Sequence, residues 1–201
     1  MKIVGVGCGP DMLTEQAIQA IKTAKNIYGS GRAIELARKH IPKNCTVRSI
    51  SDYRNLAQLP ESAVVLSTGD PMLAGLGYLQ GEVIPGVSSL QVAASRLHVP
   101  LSRIAVIVAH GRGHEKAMHD TVEELRRDRI VFLIADPKFA VSELYRRLSQ
   151  NGLSSTMTIA ACENLGYPDE RIETGDFIAP PFPASDLYAL MIGSFEVPKK
   201  L

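Results

Sequence analysis

Tryptophan is missing from the 201 residues, and aromatic side chains make up only 5% of them. Proteins that hold single-stranded nucleic acid stack bases on aromatic rings, and this chain has little with which to do so. A surplus of charge is missing too: 22 Lys and Arg face 21 Asp and Glu, a formal net charge of +1. That balance argues against nucleic acid or a membrane surface as the main partner, and an anionic ligand needs its Arg, Lys and His gathered locally. Cys8, Cys45 and Cys162 are odd in number and widely spaced, with no CxxC. This favours reduced thiols over a disulfide framework or a metal site. No apolar run approaches the roughly 18 residues of a spanning helix, and no charged-then-apolar signal opens the chain, so a cytoplasmic location is expected.

What is present is an ordinary globular composition, 45% hydrophobic, in a chain long enough to bury a core. KIVGVG (2–7) reads as a buried strand entering a glycine turn. The helical spacing of Ala17, Ile18, Ile21 and Ala24, with Thr14 as N-cap, predicts a helix after it. NIYG (26–29) and CTVRSI (45–50) are short strands around a helix over GRAIELARKH (31–40). ESAVVLSTGDP (61–71) is a strand with a polar turn, and MLAGLGYLQG (72–81) is expected to start a short helix. GEVIPGVSS (81–89) repeats the strand-to-turn pattern before a helix over 88–99, capped by Ser88 or Ser89. Pro100, Ser102 and Arg103 mark a linker. Beyond it, RIAVIVAHGR, RIVFLIADP, TMTIAACEN, RIETGDF and LYALMIG read as strands, and EKAMHDTVEELRRD and KFAVSELYRRLSQNG as helices. Alternating strands and helices argue for a mostly parallel sheet in the first half; the second is richer in strands and mixed in direction. The expected class is α/β: two α/β domains, 1–99 and 103–201, meeting at a cleft.

The opening G-x-G-x-G of VGVGCGP fits a dinucleotide fingerprint poorly. G-x-G-x-x-G is required, with an acid after the second strand, where Gly29, Ser30 and Gly31 stand instead. A tight strand-to-helix turn, or backbone kept bare for a large ligand, are the other readings. In STGDPMLAGLG, Gly69 allows close approach, while Asp70 offers an acceptor pair for a ligand or a cap for the next helix. Ser88 and Ser89 either hold an anion at a helix start or simply cap it. VAHGRGHEK gathers His110, Arg112, His114 and Lys116, a cationic cluster suited to carboxylates or phosphate, or a solvated loop. Glu163 and Asn164 precede a turn marked by Gly166, Pro168 and Asp169.

VGVGCGPDMLT, STGDPMLAGLG, VIPGVSSLQVAASRLHVPL and CENLGYPDERIETG, in that order, resemble the tetrapyrrole methylase family over nearly the whole chain. Members of that family are methyltransferases dependent on S-adenosylmethionine (SAM), with two α/β domains. IYGSGRAIE, the HGR of VAHGRG and GYPDERI are most similar to the branch that methylates C5 of cobalt-precorrin-7 in corrin biosynthesis. Leu73-Ala74 stands where relatives often carry an aromatic residue.

The resemblance implies SAM in the interdomain cleft, with Gly69, Asp70, Leu73, Ser88, Ser89, Ala135, Asn164 and Ala184 at the cofactor. Gly7, Gly9, Pro10, Arg32, Arg54, His110 and Arg112 are the candidates for the carboxylate-bearing substrate. It further implies a homodimer and a separate protein for C15 methylation and decarboxylation. No protein-bound metal is expected, since Gly111 and Gly113 disfavour a helical His110/His114 pair, and no catalytic residue is assigned. The macrocycle supplies its own electron push, so in-line displacement needs alignment more than a protein base; alignment is worth roughly 7–11 kcal/mol. The alternatives are a family methylase acting on another carbon or substrate, a non-catalytic SAM-binding module, and a nicotinamide dehydrogenase.

Overall fold

The computed structural model describes residues 1–111, 113–153 and 157–197. Arg112 and Thr156, the latter at the start of an expected strand, lie outside the described residues. The chain divides into two compact units, Met1–Ser89 and Leu90–Leu201. The division falls at the first turn of a helix and not at the Pro100 linker.

The first unit holds β1 (Lys2–Gly5), α1 (Glu15–Lys22), β2 (Asn26–Gly29), α2 (Gly31–Ala37), β3 (Thr46–Ser49), β4 (Val64–Ser67) and β5 (Glu82–Ile84). The strands form one parallel sheet in the order β3-β2-β4-β1-β5. Period-two alternation sorts the strand residues into two layers. Val4, Leu66 and Ile84 pack with Ala17 and Ile21 of α1, whereas Ile3 and Val65 pack with Leu56, Leu76 and Leu79. Thr14 caps α1 as expected, accepting from the Ala17 N–H at 3.1 Å. Ser30 caps α2 in the same way, accepting from Ala33 at 3.2 Å, so its side chain serves the helix start.

The helix expected over 72–81 does not form; this stretch is a run of turns. Ala74 is left-handed at φ 66°, and the N–H of Gly77 bonds the Pro71 carbonyl at 2.8 Å. The backbone there lies so close to β4 that a Cβ on Gly75 would sit 2.6 Å from Ser67 Oγ. Leu76 and Leu79 still reach the core, so burial is achieved without helical geometry.

α3 (Ser89–Leu97) leads into the second unit, which holds β6 (Ile104–Ala109), α4 (His114–Arg126), β7 (Ile130–Ala135), α5 (Val141–Gln150), β8 (Thr158–Glu163), β9 (Arg171–Gly175) and β10 (Tyr188–Gly193). Its sheet runs β6-β7-β10-β8-β9. β6 and β7 are parallel and the other pairs antiparallel, the mixed direction that the sequence suggests. α5 buries Val141, Leu144, Tyr145 and Leu148, a single helical face, against Leu133, Ile159 and Leu190. Among the described residues no helix is long and apolar enough to cross a membrane.

Candidate functional site

In the first unit the glycines, Asp70, Leu73 and the two serines singled out from the sequence collect beyond the carboxyl ends of β4, β1 and β5, where parallel sheets commonly bind ligands. The strand order puts three glycine backbones in contact. A Cβ on Gly5 would lie 2.6 Å from Gly86 N and 2.8 Å from Gly69 O; one on Gly86 would lie 2.3 Å from Gly69 O. Gly69 N–H also donates to Gly7 O at 2.7 Å. The bareness of Gly7 serves the chain itself, because a Cβ there would meet Met12 Cβ at 2.5 Å. Gly69 differs: a Cβ would find only Ser88 Cα, at 3.8 Å, although φ of 67° strains any side chain. Gly9 is buried in the same loop and Pro10 is exposed. Ser88 is buried, with Ser89 and Leu73 partly so.

Asp70 ties this edge together. Its Oδ1 accepts from Met72 N–H at 2.8 Å and its Oδ2 from Gly86 N–H at 3.0 Å. Asp70 therefore caps a turn, not a helix, and clamps the loop after β5. Arg32, at the start of α2, donates to Thr68 Oγ1 at 3.1 Å just beyond β4 and stays exposed. Arg54 lies in the turn after β3, where Nε and Nη2 grip Asp52 at 2.9 and 3.0 Å. That hydrogen bonding holds the Asp52 carboxyl below its ordinary range. So exposed a pair is worth little, and a stronger anion could displace it. Asp11, which sequence reasoning did not single out, sits in the same glycine loop with a left-handed φ of 57° and pairs with Lys39 Nζ at 2.9 Å. Its one sequence signal is a turn-forming acid behind Gly-Pro.

The second unit repeats the device. Asp136, like Asp70, ends a buried strand and precedes a proline. Its Oδ1 accepts from Lys138 N–H at 2.9 Å, and its Oδ2 accepts from Gly111 N–H at 2.7 Å and meets His114 Nε2 at 3.0 Å. One oxygen thus closes the turn and the other tethers a glycine loop that follows another strand of the same sheet, as in the first unit. His110 is exposed in that loop, and Arg112 lies outside the described residues. The contact with His114, and after it the Gly111 N–H, holds the Asp136 carboxyl down to about 2. A depressed carboxylate stabilises its loop fully above the ordinary value of 3.8 and loses that contribution as pH falls toward 2. The Gly111 amide proton resonance is therefore expected to titrate with a midpoint near 2; a midpoint at the ordinary carboxylate value would show that Asp136 does not hold the loop.

Ala135 is buried at the end of β7. Ala184 lies on an open pocket of about 310 Å³ within the second unit, lined also by Pro137, Phe139, Phe182, Ser185, Asp186 and Tyr188. The Tyr188 hydroxyl donates to Asp136 O at 3.4 Å, and burial pushes its phenol up to about 12. Asn164 does not line this pocket; its side-chain amide bonds Asp169 and Ser185. The aromatic wall of Phe139 and Phe182 is not legible in the sequence, because its two rings come from segments more than forty residues apart.

Each unit of this α/β protein thus carries an Asp-Pro clamp over a glycine loop. The chain belongs to the tetrapyrrole (corrin/porphyrin) methylases, whose family model matches residues 2–178; it is a methyltransferase. It is 29% identical over 187 residues to the probable cobalt-precorrin-7 C(5)-methyltransferase of Methanocaldococcus jannaschii, covering 85% of this chain and 86% of that one. Identity with the cobalt-precorrin-7 C(5)-methyltransferase of Salmonella typhimurium is 24%, covering 86% and 88%. The crystal structure of the cobalamin-biosynthesis precorrin-6Y methylase of Archaeoglobus fulgidus superposes with a TM-score of 0.74 at 29% identity, covering 98% of each chain.

Proposed function

We propose that this protein transfers a methyl group from SAM to C5 of cobalt-precorrin-7 in cobalamin biosynthesis. The observation that carries the reading is similarity along most of the chain, at 29% identity, to an enzyme named for that reaction. The residues present suit the donor. The pocket of about 310 Å³ is the size of a nucleoside site, with aromatic rings and proline for a base and Ser185 and Asp186 for hydroxyls. When bound, SAM supplies an electrophilic methyl group on a sulfonium.

The chain's own residues bind and align. Gly69, Asp70, Leu73, Ser88 and Ser89 receive the donor in the first unit, with Ala135 and Ala184 in the second and Asn164 supporting them. Gly7, Gly9 and Pro10 lie toward the macrocycle. Arg32, Arg54, His110 and Arg112 hold its carboxylates through charge-assisted hydrogen bonds. Arg32 is best placed of these, since its partner Thr68 is neutral and easily exchanged. The protein acts as a cytoplasmic homodimer.

Incubation with methyl-labelled SAM and cobalt-precorrin-7, followed by NMR of the product, tests the reading. One labelled methyl at C5 is expected. Label at another ring carbon would replace the positional assignment, and bound SAM without transfer would make the chain a binding module. Arg32→Ala is expected to raise KM for the tetrapyrrole about tenfold with SAM affinity unchanged.

A further inference from the structure

We infer that Glu163 and Asn164 are positioning residues for the methyl donor: together they hold the segment 184–187, whose residues 184–186 line the pocket, without touching the donor. The inference rests on the reading of the second-unit pocket as the adenosyl site.

Glu163 ends β8 and is only 2% exposed. A carboxylate so buried persists only where hydrogen bonds replace water. Its Oε1 accepts from two consecutive backbone N–H groups, Ala184 and Ser185, both at 2.6 Å. Its Oε2 accepts from Arg171 Nη1 at 2.5 Å, and Arg171 in turn pairs with Glu173. Two adjacent peptide N–H groups converging on one oxygen fix the orientation of both peptide planes, which a hydrophobic contact cannot do.

Asn164 completes the arrangement. Its backbone is left-handed at φ 48°, and its N–H donates to Leu187 O at 3.0 Å. Its Oδ1 accepts from Ser185 Oγ at 2.9 Å, and that hydroxyl accepts from Leu187 N–H at 3.1 Å. Its Nδ2 donates to Asp169 Oδ2 at 2.8 Å, anchoring the amide from behind. Residues 184–187 are thus gripped at one end by the Glu163 carboxylate at the end of β8 and at the other by the backbone N–H of Asn164 just beyond it, with the Asn164 side chain holding the Ser185 hydroxyl between them, and Ala184, Ser185 and Asp186 line the pocket. A buried ion pair is weak evidence for stability, because apolar packing commonly serves as well. Here the groups bonded are backbone atoms of a pocket wall, so their geometry is what the charge secures.

The test uses the full chain. Calorimetric Kd for SAM, KM for cobalt-precorrin-7 and the melting temperature without ligand are measured for Glu163→Gln, Arg171→Gln and Phe182→Ala. Glu163→Gln keeps the shape but turns an amide toward Arg171 or toward the loop. It is expected to raise the SAM Kd about tenfold and leave the tetrapyrrole KM within about twofold. Arg171 is half-exposed, so Arg171→Gln is a milder variant for use if Glu163→Gln does not fold; about threefold in SAM Kd is expected of it. A lower melting temperature with unchanged SAM Kd in the folded fraction overturns the inference. If Phe182→Ala weakens SAM while the other two do not, the inference fails and the pocket reading stands. If none of the three alters SAM affinity, the pocket is not the donor site and both fall.

Discussion

Gly86→Ala is expected to destabilise the protein by about 3 kcal/mol, the upper range for an added methyl in a packed interior. The new Cβ would stand 2.3 Å from Gly69 O, 2.8 Å from Gly5 C and 2.9 Å from Gly5 Cα. All three are backbone atoms, so no side-chain rotation relieves the clash. β1 lies between β4 and β5, so the loops cannot part without shifting strands on both sides. For a chain of this length, such a loss lowers the melting temperature by roughly 6–12 °C. The same methyl at Gly31, the first residue of α2, would meet nothing within 4 Å, and Gly31→Ala is expected to be neutral or slightly stabilising. Denaturant melts of the two variants check the pair of expectations. Equal stabilities would mean that the glycine contact at the strand ends is not tight.

Asp70→Ala should damage both stability and donor binding. Two hydrogen bonds to a carboxylate are lost, and the buried Gly86 N–H is left without its acceptor. A loss of about 2 kcal/mol is expected from an orphaned buried donor of this kind. Since Asp70 holds the loop after β5 against the turn after β4, SAM affinity is expected to fall at least about tenfold. Asp70→Asn separates the two bonds. Its carbonyl oxygen still closes the Met72 turn, but its amide N–H₂ confronts the Gly86 N–H, a pairing of two donors. It is expected to fall between wild type and Asp70→Ala in both measurements. Unchanged SAM affinity in calorimetry, with stability reduced, would make Asp70 a structural clamp alone.

Much of the fold is legible along the chain. The apolar spacing of Ala17 and Ile21, the cap Thr14, and the alternating burial of Ile3, Val4, Val65 and Leu66 are local patterns. Each depends on residues at most a few positions apart. The segment 72–81 shows where such reasoning stops. Leu73, Leu76 and Leu79 have helical spacing, yet the close approach of Gly75 to Ser67 and the left-handed Ala74 select turns. The candidate site is legible only in part. Asp-Pro after a buried strand is visible twice, but which N–H groups each carboxylate would take is not. Arg54 looks like a ready cation in the sequence and is already gripped by Asp52 in the structure.

By itself the sequence determined most of the order of strands and helices, the Thr14 cap and the Asp70-Pro71 turn, because these follow from period and from short-range hydrogen bonding. The tertiary structure alone decided that Gly5, Gly69 and Gly86 touch, that Asp70 reaches Gly86 and Asp136 reaches Gly111, and that Glu163 governs residues 184 and 185. The physical reason is strand order. Pairing β1 between β4 and β5, and β8 beside β10, brings distant residues within hydrogen-bond reach, and a strand's own pattern does not specify its neighbours.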